Sequence, residues 1–311
     1  MNPAEPRRVY SLVPYTHWRQ ALKSSPNQIV PNGKVVLITG ANTGIGKVTA
    51  VELALQGYHV LLACRSEEKT RPVLQLIEDR SQGTAKAEFL HLDLGDLQSV
   101  KACAEIFLKR ELHLDILINN AGLAGAMGKT KSGFELAFGV CHVGHFLLTV
   151  LLLPALKKAK HARVVVVASR AHTRVKTLDF NTLQQPTKSP GGLKEYCQAK
   201  LANVLFAKGL AKRTAGTGIH VYALHPGVVA TEVWRKVPKL LQPVIKLFMI
   251  SPEKGAQTTL YCATSPDVAN ETGLYYSDQR ALKGSAAAED ATLADRLWLE
   301  SEQWVASYLT D

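Results

Sequence analysis

The fold of this chain is decided by the stretch Val35-Val36-Leu37-Ile38-Thr39-Gly40-Ala41-Asn42-Thr43-Gly44-Ile45-Gly46. Its first half is a continuous run of β-forming apolar residues, which is typical of a strand covered on both faces of a sheet. Glycines follow at once, and a helical pattern then extends from Gly44 to near Gly57. A second apolar run, 59–64, predicts the next strand. The stretch therefore predicts a strand–loop–helix–strand unit.

The glycine-rich loop of this unit has the features of a diphosphate site. A tight turn needs residues without a Cβ atom, and a diphosphate must approach the backbone closely. The helix that follows offers unpaired N–H groups and the positive end of its dipole. A glycine-rich turn without a ligand is the alternative, but the correctly placed strands and helix favour nucleotide binding. The predicted cofactor-binding residues of the loop are Gly40, Asn42, Thr43, Gly44, Ile45 and Gly46.

The end of the second strand distinguishes between the two nicotinamide dinucleotides. An acidic residue there binds a free ribose 2′-hydroxyl, whereas a basic residue accommodates a 2′-phosphate. Arg65 occupies this position, no acid precedes Glu67, and Lys47 adds a second cation beside the loop. Because a guanidinium suits a phosphate, the sequence favours NADP(H) over NAD(H). The alternative is that Arg65 is an ordinary surface charge.

Strand and helix patterns alternate along the rest of the chain, without a convincing domain boundary, internal repeat or low-complexity segment. This alternation predicts an α/β fold, a single doubly wound (Rossmann) domain at 34–311 with a mostly parallel seven-stranded sheet. An irregular arm at 1–33 precedes it. Further strands are predicted at 87–91, 115–118, 163–168, 220–225 and 273–277, and helices at 70–82, 97–110, 134–153, around 196, at 252–263 and at 292–309.

Composition limits the class of protein. An apolar fraction of 46% and a charged fraction of 20% describe a globular chain. The net charge of +11 predicts attraction to phosphorylated cofactors or acidic membrane surfaces, but dispersed basic residues and the lack of a binding motif argue against nucleic acid. Five widely spaced cysteines predict reduced thiols and no metal site.

Nothing in the sequence predicts a signal peptide or a membrane anchor. The most apolar run, 140–153, contains two histidines and is too short to cross a bilayer comfortably, so we expect a buried helix. The expected location is therefore cytoplasmic or peripheral on a membrane.

Tyr196 and Lys200 lie four residues apart on a predicted helix and therefore share one face. An ammonium favours the anion of a nearby phenol, and such a pair can give or take a proton at an alcohol carbon. A packed ring beside a solvated charge is the commoner meaning of this spacing. Ser169, after the fifth predicted strand, has a similar ambiguity, because a serine there is more often a helix or turn cap.

Taken in order, the motifs resemble those of the short-chain dehydrogenase/reductase family from about residue 34 to residue 277. Finer strings resemble the retinol dehydrogenase branch and its WW-domain oxidoreductase relatives, which use NADP(H) or NAD(H) on apolar alcohols and carbonyls. The family motifs are Thr39-Gly40-(x)3-Gly44-Ile45-Gly46, Asn119-Asn120-Ala121-Gly122, Ser169, Tyr196-(x)3-Lys200 and Pro226-Gly227-(x)3-Thr231. The finer strings are the loop 40–47, Gly144-His145-Phe146-Leu147-Leu148-Thr149 and Lys200-Leu201-Ala202-Asn203.

The resemblance implies a role for each matched residue. Tyr196 would be the acid/base, Lys200 would stabilise its anion and hold the nicotinamide ribose, and Ser169 would hydrogen-bond the substrate oxygen. The long separation between Ser169 and Tyr196 implies an inserted loop at about 173–193, near the substrate. The other implied cofactor-binding residues are Asp93 at the adenine, Asn120, Ala121 and Gly122 at the sheet edge, and Pro226, Gly227, Val229 and Thr231 on the nicotinamide side.

Two positions depart from the family pattern. Cys141 replaces the branch's catalytic asparagine, which holds a water that connects the lysine to solvent. A thiol is a weak hydrogen-bonding group, which weakens the implied proton relay and favours slow turnover. His142 could supply another water path, although a packed histidine is the favoured interpretation. Ala168 replaces a second serine, which should be tolerated because Ser169 remains.

The sequence therefore predicts an NADP(H)-dependent oxidoreductase, a carbonyl reductase for retinoid- or lipid-like alcohols, aldehydes or ketones. The alternative is a weakly active or inactive NADP-binding sensor or scaffold, and its support is Cys141 alone. The apolar segment at about 232–251 is predicted to be a substrate lid and a candidate for membrane contact, with an ordinary core helix as the alternative. A homodimer through the helices at 134–153 and 194–215 is implied by analogy with the family.

Overall fold

Eight strands form one sheet in the residues that the computed structural model describes, which are 29–227 and 250–310. The sheet confirms the predicted mostly parallel α/β (Rossmann) class but has eight strands instead of seven, since the last, β8, returns antiparallel beside β7. In sheet order the strands are β3 (Ala87–His91), β2 (His59–Cys64), β1 (Val35–Thr39), β4 (Ile116–Asn119), β5 (Ala162–Val167), β6 (Ile219–His225), β7 (Leu274–Ser277) and β8 (Arg280–Leu282).

Seven longer helices of the described residues cover both faces of this sheet. Two cores result: Val36 and Ile38 of β1 belong to one, and Leu37 belongs to the other. Since successive strand residues point to opposite faces, this burial accounts for the continuous apolar runs of the sequence. The helices are α1 (Gly44–Leu55), α2 (Glu67–Ser81) and α6 (Pro252–Thr264) on the first face, and α3 (Leu97–Leu108), α4 (Leu136–Lys158), α5 (Leu193–Arg213) and α7 (Ala291–Leu309) on the second.

The direction of strand addition reverses at β1, which pairs with β2 on one side and with β4 on the other. In open α/β sheets, ligands bind at the carboxyl ends of the strands where this reversal occurs. The reversal places the glycine-rich loop after β1 beside the segment 120–122 after β4. This crevice is the part of the fold that positions the site.

Helix α4 lies in the core beside this crevice. Among the described residues it is the one helix long and apolar enough to cross a membrane, and 72% of its most apolar stretch is buried. Core helices commonly pass this test, and the burial agrees with the expected buried helix. Its backbone widens into a π-helical turn over Gly139–Val143, a kind of turn that is rare and often found at functional sites.

Several predicted boundaries need correction. The helix predicted at 70–82 begins at Glu67, because Ser66 Oγ accepts a hydrogen bond from Lys69 N at 3.2 Å and caps it. The helix predicted at 134–153 continues to Lys158. Val229, Thr231, most of the predicted lid and residues 1–28 of the predicted arm lie outside the described residues.

Candidate active site

The predicted site residues within the described ranges are brought to the carboxyl edge of the sheet. The glycine-rich loop follows β1, residues 120–122 follow β4, Ser169 follows β5, and Pro226 and Gly227 follow β6. Helix α5 packs against β5 and β6 and carries Tyr196 and Lys200 to the same edge. The crevice therefore combines the predicted phosphate loop with the predicted acid/base pair.

The glycine-rich loop leaves no room for side chains on its inner surface. A Cβ atom at Gly40, where φ is +64°, would lie 2.9 Å from the Cβ of Ala121. A Cβ atom at Gly46 would lie 2.4 Å from the carbonyl oxygen of Gly40 and 2.5 Å from Nδ2 of Asn120. The same Asn120 amide donates to Thr39 O at 2.8 Å and fixes the loop to the end of β4. Such a close-packed backbone fits a dinucleotide diphosphate, for which the sequence predicted this loop.

Thr39 joins three elements of the site. Its hydroxyl accepts hydrogen bonds from the backbone N–H groups of Asn120 at 3.0 Å and Ala121 at 2.9 Å, and donates to Nε2 of His145 at 2.8 Å. The Nδ1–H of His145 donates to the carbonyl oxygen of Cys141 at 2.9 Å. Burial lowers the pKa of His145 to about 4, so the ring is neutral, and donation from Nδ1–H leaves Nε2 as the acceptor for Thr39. The ends of β1 and β4 are thus fixed to the π-helical turn of α4.

Lys200 is a buried cation, only 4% exposed, beside the ring of Tyr196. Its Nζ lies 5.8 Å from the centre of that ring, so the two side chains share a face as predicted. The ammonium donates to the carbonyl oxygen of Val167 at 2.8 Å. An ammonium has three N–H groups, which leaves two without a protein acceptor in the described part of the chain. This cation can therefore still bind ligand oxygens.

Asn203 ends the quoted string 200–203 but received no role from the sequence, although it lies three residues after Lys200 on α5. Its Nδ2 donates to the same Val167 carbonyl at 3.2 Å, while its buried Oδ1 has no partner in the described residues. Its position one turn after the lysine was the available signal. Thr39 and His145 belonged to quoted strings but received no role, because their contact joins residues far apart in sequence.

The geometry of Ser169 is compatible with both of its predicted roles, a cap of the turn and a hydrogen-bond donor to the substrate oxygen. Its Oγ accepts a hydrogen bond from Ala171 N at 3.1 Å and caps the short 3-10 helix Arg170–Arg174. A hydroxyl that accepts one bond still has a proton to donate. The side chain is half-buried, and the 3-10 helix packs against α5. Ser169 can therefore cap the turn and also address a ligand in the crevice.

The cationic residue predicted for a 2′-phosphate is placed as expected. Arg65 is exposed directly after β2, and the nearby ion pairs Arg71–Glu67 and Arg80–Glu52 do not involve it. Asp93, after β3, uses Oδ1 to accept a hydrogen bond from Gly95 N at 2.9 Å, so part of its carboxylate stabilises its own turn.

The inserted loop is held by two glutamates. Thr187 donates to the buried Glu135 at the start of α4, and burial raises the pKa of that carboxyl group. Glu195 accepts hydrogen bonds from the backbone N–H groups of Lys188 and Ser189 at 3.1 and 2.9 Å. The loop is therefore joined to the start of α5, one residue before Tyr196.

His142 and the cysteines have structural positions. The Nε2–H of His142 donates to Ser301 Oγ of α7 at 2.8 Å, and its ring packs among aromatic side chains, as the packed-histidine interpretation predicts. Burial lowers the pKa of His142 to about 3. All five cysteines are buried and free of disulfides, in agreement with the predicted reduced thiols.

The comparisons with a family model and with known proteins indicate the same family. Residues 34–181 match a family model described as short chain dehydrogenase. Human dehydrogenase/reductase SDR family member 13 is 44% identical over 277 residues, which cover 87% of this chain and 73% of that protein. Human retinol dehydrogenase 11 is 44% identical over 269 residues, covering 86% of this chain and 84% of that protein.

Solved structures show the same fold. An uncharacterized protein from Mycobacterium paratuberculosis has a TM-score of 0.70 and 32% identity, and the match covers 89% of this chain and 96% of that one. A short chain dehydrogenase from Escherichia coli in complex with NADPH has the same fold, with a TM-score of 0.64, 24% identity and coverage of 81% and 98%.

Proposed function

Since the chain belongs to the short-chain dehydrogenase/reductase family, in the branch of the retinol dehydrogenases, we propose that it is an NADP(H)-dependent oxidoreductase for hydrophobic alcohols and carbonyl compounds. The observation that carries the proposal is the buried ammonium of Lys200 beside Tyr196. Its Nζ donates to the carbonyl oxygen of Val167, two residues before Ser169, and lies beside Gly122 at the end of β4. A buried cation without a carboxylate partner is costly to a fold unless ligand oxygens compensate it.

The cofactor proposal rests on two features. The loop backbone around Gly40 and Gly46 excludes side chains and suits a diphosphate, and the exposed Arg65 suits a ribose 2′-phosphate. When bound, NADP(H) supplies or takes up the hydride. The two N–H groups of Lys200 that have no acceptor among the described residues would hold the nicotinamide ribose.

In the direction of reduction, three side chains share the work at the carbonyl oxygen of the substrate. Tyr196 donates its phenolic proton to that oxygen, so that the alcohol leaves as a neutral product. Lys200 stabilises the phenolate that remains until solvent returns the proton. Ser169 donates a hydrogen bond to the same oxygen, where negative charge develops in the transition state.

The proposed substrate class is apolar. Met127 and Leu193 are 53% and 51% exposed, and the segments that carry them are adjacent, since a Cβ atom at Gly192 would lie 3.1 Å from Ala126 O. Leu193 lies one turn before Tyr196 on α5, and exposed apolar side chains near the acid/base favour a hydrophobic ligand. The relatives named retinol dehydrogenases make all-trans-retinal the first compound to test.

The experiment measures NADPH oxidation with retinal and with a straight-chain aldehyde, for the wild type and Tyr196→Phe. We expect Tyr196→Phe to lose at least ~100-fold in kcat while it still binds NADPH, because it loses only the acid/base. Tyr308→Phe, in α7 away from the site, is the matched control. Unchanged turnover in Tyr196→Phe would remove the tyrosine from the mechanism.

The same measurement tests the alternative function. If wild type and Cys141→Asn both bind NADPH but turn over none of the compounds, the chain is a nucleotide-binding sensor or scaffold. The specific observation in its favour is that the Cys141 thiol lies where the family has an asparagine amide, beside Lys200.

Partners and location form part of the proposal. The charge of +11 and the apolar segment 232–251 support peripheral contact with an anionic membrane from the cytoplasmic side, and the family analogy supports a homodimer. Sedimentation with anionic vesicles and analytical ultracentrifugation test the two. Protein that stays in the supernatant would contradict the membrane contact, and a monomer in the ultracentrifuge would contradict the homodimer.

A further inference from the structure

His172 lies three residues after Ser169, is 1% exposed, and uses both of its ring nitrogens. Its Nδ1–H donates to the carbonyl oxygen of Ser169 at 2.7 Å. Its Nε2 accepts a hydrogen bond from the backbone N–H of Ser285 at 3.3 Å. The ring also packs edge-on against Tyr275 of β7, with the ring centres 4.9 Å apart. His172 therefore connects the serine segment to the chain that follows β8.

The segment 284–289 after β8 continues this connection to α5. Its residues Gly284 and Glu289 are joined by a hydrogen bond from Gly284 N to Oε1 at 2.9 Å. The other carboxylate oxygen of Glu289 accepts a hydrogen bond from Nζ of Lys208 at 2.8 Å. Lys208 lies on α5, two turns after Lys200, so the path from Ser169 ends on the helix that carries Tyr196.

This path matters because Ser169 and Tyr196 must address the same substrate oxygen. Their direct connection along the chain is the inserted loop, which is long and mostly irregular. The path through His172 instead joins them by four short contacts, of which the two made by His172 are part-buried and the two made by Glu289 are exposed. A displacement of about 1 Å between reacting groups can cost ~100-fold in rate.

We propose that His172 is a positioning residue, which holds Ser169 in register with Tyr196 through the segment 284–289 and Lys208. The proposal rests on the function proposed above. His172 is not itself a catalytic group, because protein partners occupy both of its nitrogens. Its neutral form is the one the contacts require, since Nε2 accepts a hydrogen bond, and burial lowers the pKa of the ring.

Two substitutions separate the parts played by the ring and by the hydrogen bond. Asn in place of His172 puts an N–H donor where Nδ1–H was and keeps the contact with Ser169 O. Phe keeps the ring against Tyr275 but loses both hydrogen bonds. We expect His172→Phe to lower kcat about 10- to 100-fold with the Kd for NADPH unchanged, and His172→Asn to recover most of the loss.

Two lysines of α5, Lys208 and Lys212, provide a matched test at the α5 end of the path. Lys208→Gln breaks the contact with Glu289, whereas Lys212→Gln breaks the neighbouring ion pair with Asp295 on the same helix. We expect Lys208→Gln to lower kcat by about threefold or more and Lys212→Gln to leave it unchanged, since only the first belongs to the path. This pair tests the proposal even if His172→Phe fails to fold.

The outcomes are distinct. Wild-type kcat in a folded His172→Phe, equal losses in His172→Phe and His172→Asn, or equal effects of the two lysine variants would overturn the proposal. Failure of the proposed function appears differently, as wild type without turnover or as Tyr196→Phe with full turnover. If the proposed function fails, a crystal structure of His172→Phe still tests the positioning role. An unchanged position of Ser169 relative to α5 in that variant would exclude the role.

Discussion

Cys141 and Lys200 both border the space that a Cβ atom at Gly122 would occupy. A Cβ atom at this glycine would be 3.4 Å from Sγ of Cys141 and 3.3 Å from Nζ of Lys200. The thiol therefore lies beside the proposed catalytic ammonium, in the π-helical turn of α4. The π turn forms without the asparagine, and the hydrogen bond from His145 to the Cys141 carbonyl is made by the backbone. What the cysteine changes is the side chain offered to a water beside Lys200.

The first prediction concerns this side chain. Cys141→Asn should raise kcat by about tenfold, because an amide can hold a water beside a charged group, where a hydrogen bond contributes about 1.5–3 kcal/mol. Cys141→Ala should change kcat by less than about twofold, since a thiol contributes little hydrogen bonding. Steady-state kinetics with NADPH and retinal measures both. A folded Cys141→Asn with wild-type kcat would show that the relay is intact with cysteine.

The second prediction concerns the choice of cofactor. Arg65→Gln should weaken NADPH binding by about 10- to 100-fold, the loss expected for a charged hydrogen bond to phosphate, and should change NADH binding by less than about threefold. Arg71→Gln, another exposed arginine near the same strand, is the matched control. Fluorescence titration of the wild type and both variants with each cofactor gives the six dissociation constants. An equal loss for NADPH and NADH would mean that Arg65 does not contact a 2′-phosphate.

The third prediction concerns the hydroxyl that fixes β1 to β4. Thr39→Val keeps the side-chain shape but removes the hydrogen-bond partner of two groups, the N–H of Ala121 and Nε2 of the buried His145. The free energy of unfolding should fall by about 2–4 kcal/mol, because each unsatisfied buried group costs about 1–3 kcal/mol. Thr264→Val, whose hydroxyl donates only within its own helix, should cost less than about 1 kcal/mol. Urea unfolding measures the difference, and equal losses would argue against a special role for Thr39.

The fourth prediction concerns stability in acid. Burial lowers the pKa of His142 to about 3, so the folded protein favours its neutral form. The resulting stability is complete above the unfolded pKa of about 6.5 and is lost as the pH falls toward 3, by up to ~1.4 kcal/mol per pH unit. His142→Gln keeps the N–H donor to Ser301 and cannot titrate. Its free energy of unfolding should therefore fall less steeply between pH 6 and pH 4, and a slope equal to that of the wild type would contradict the burial effect.

Much of the fold could be predicted because the signals were local. The strands at His59–Cys64 and Ala87–His91 have their predicted bounds, and the first helix begins at Gly44 as predicted. The start of α2 was wrong by three residues even though Ser66 and the two glutamates after it form a readable capping signal. The eighth strand had no signal, since three exposed residues have no hydrophobic periodicity.

The site was predictable in its residues and less so in its connections. The spacing of Tyr196 and Lys200 placed both on one face, because helical geometry is local. The contact of Thr39 with His145, or of His172 with Ser285, joins residues more than one hundred positions apart, and no pattern along one sequence encodes such a pairing. The π-helical turn of α4 was missed for a related reason, as its residues are compatible with an ordinary helix.

The short strand β8 also bears on how copies of this protein behave in a crowded cell. An open sheet ends in unpaired backbone groups that can recruit a strand from another chain and start aggregation. Here the last strand is only three residues long, begins with Arg280 and is followed at once by Lys283. A strand from another chain would find few backbone N–H and C=O groups to pair with, and a positively charged side chain at each end of β8. The short length that hid β8 from sequence patterns thus makes this edge of the sheet a poor template for fibrils.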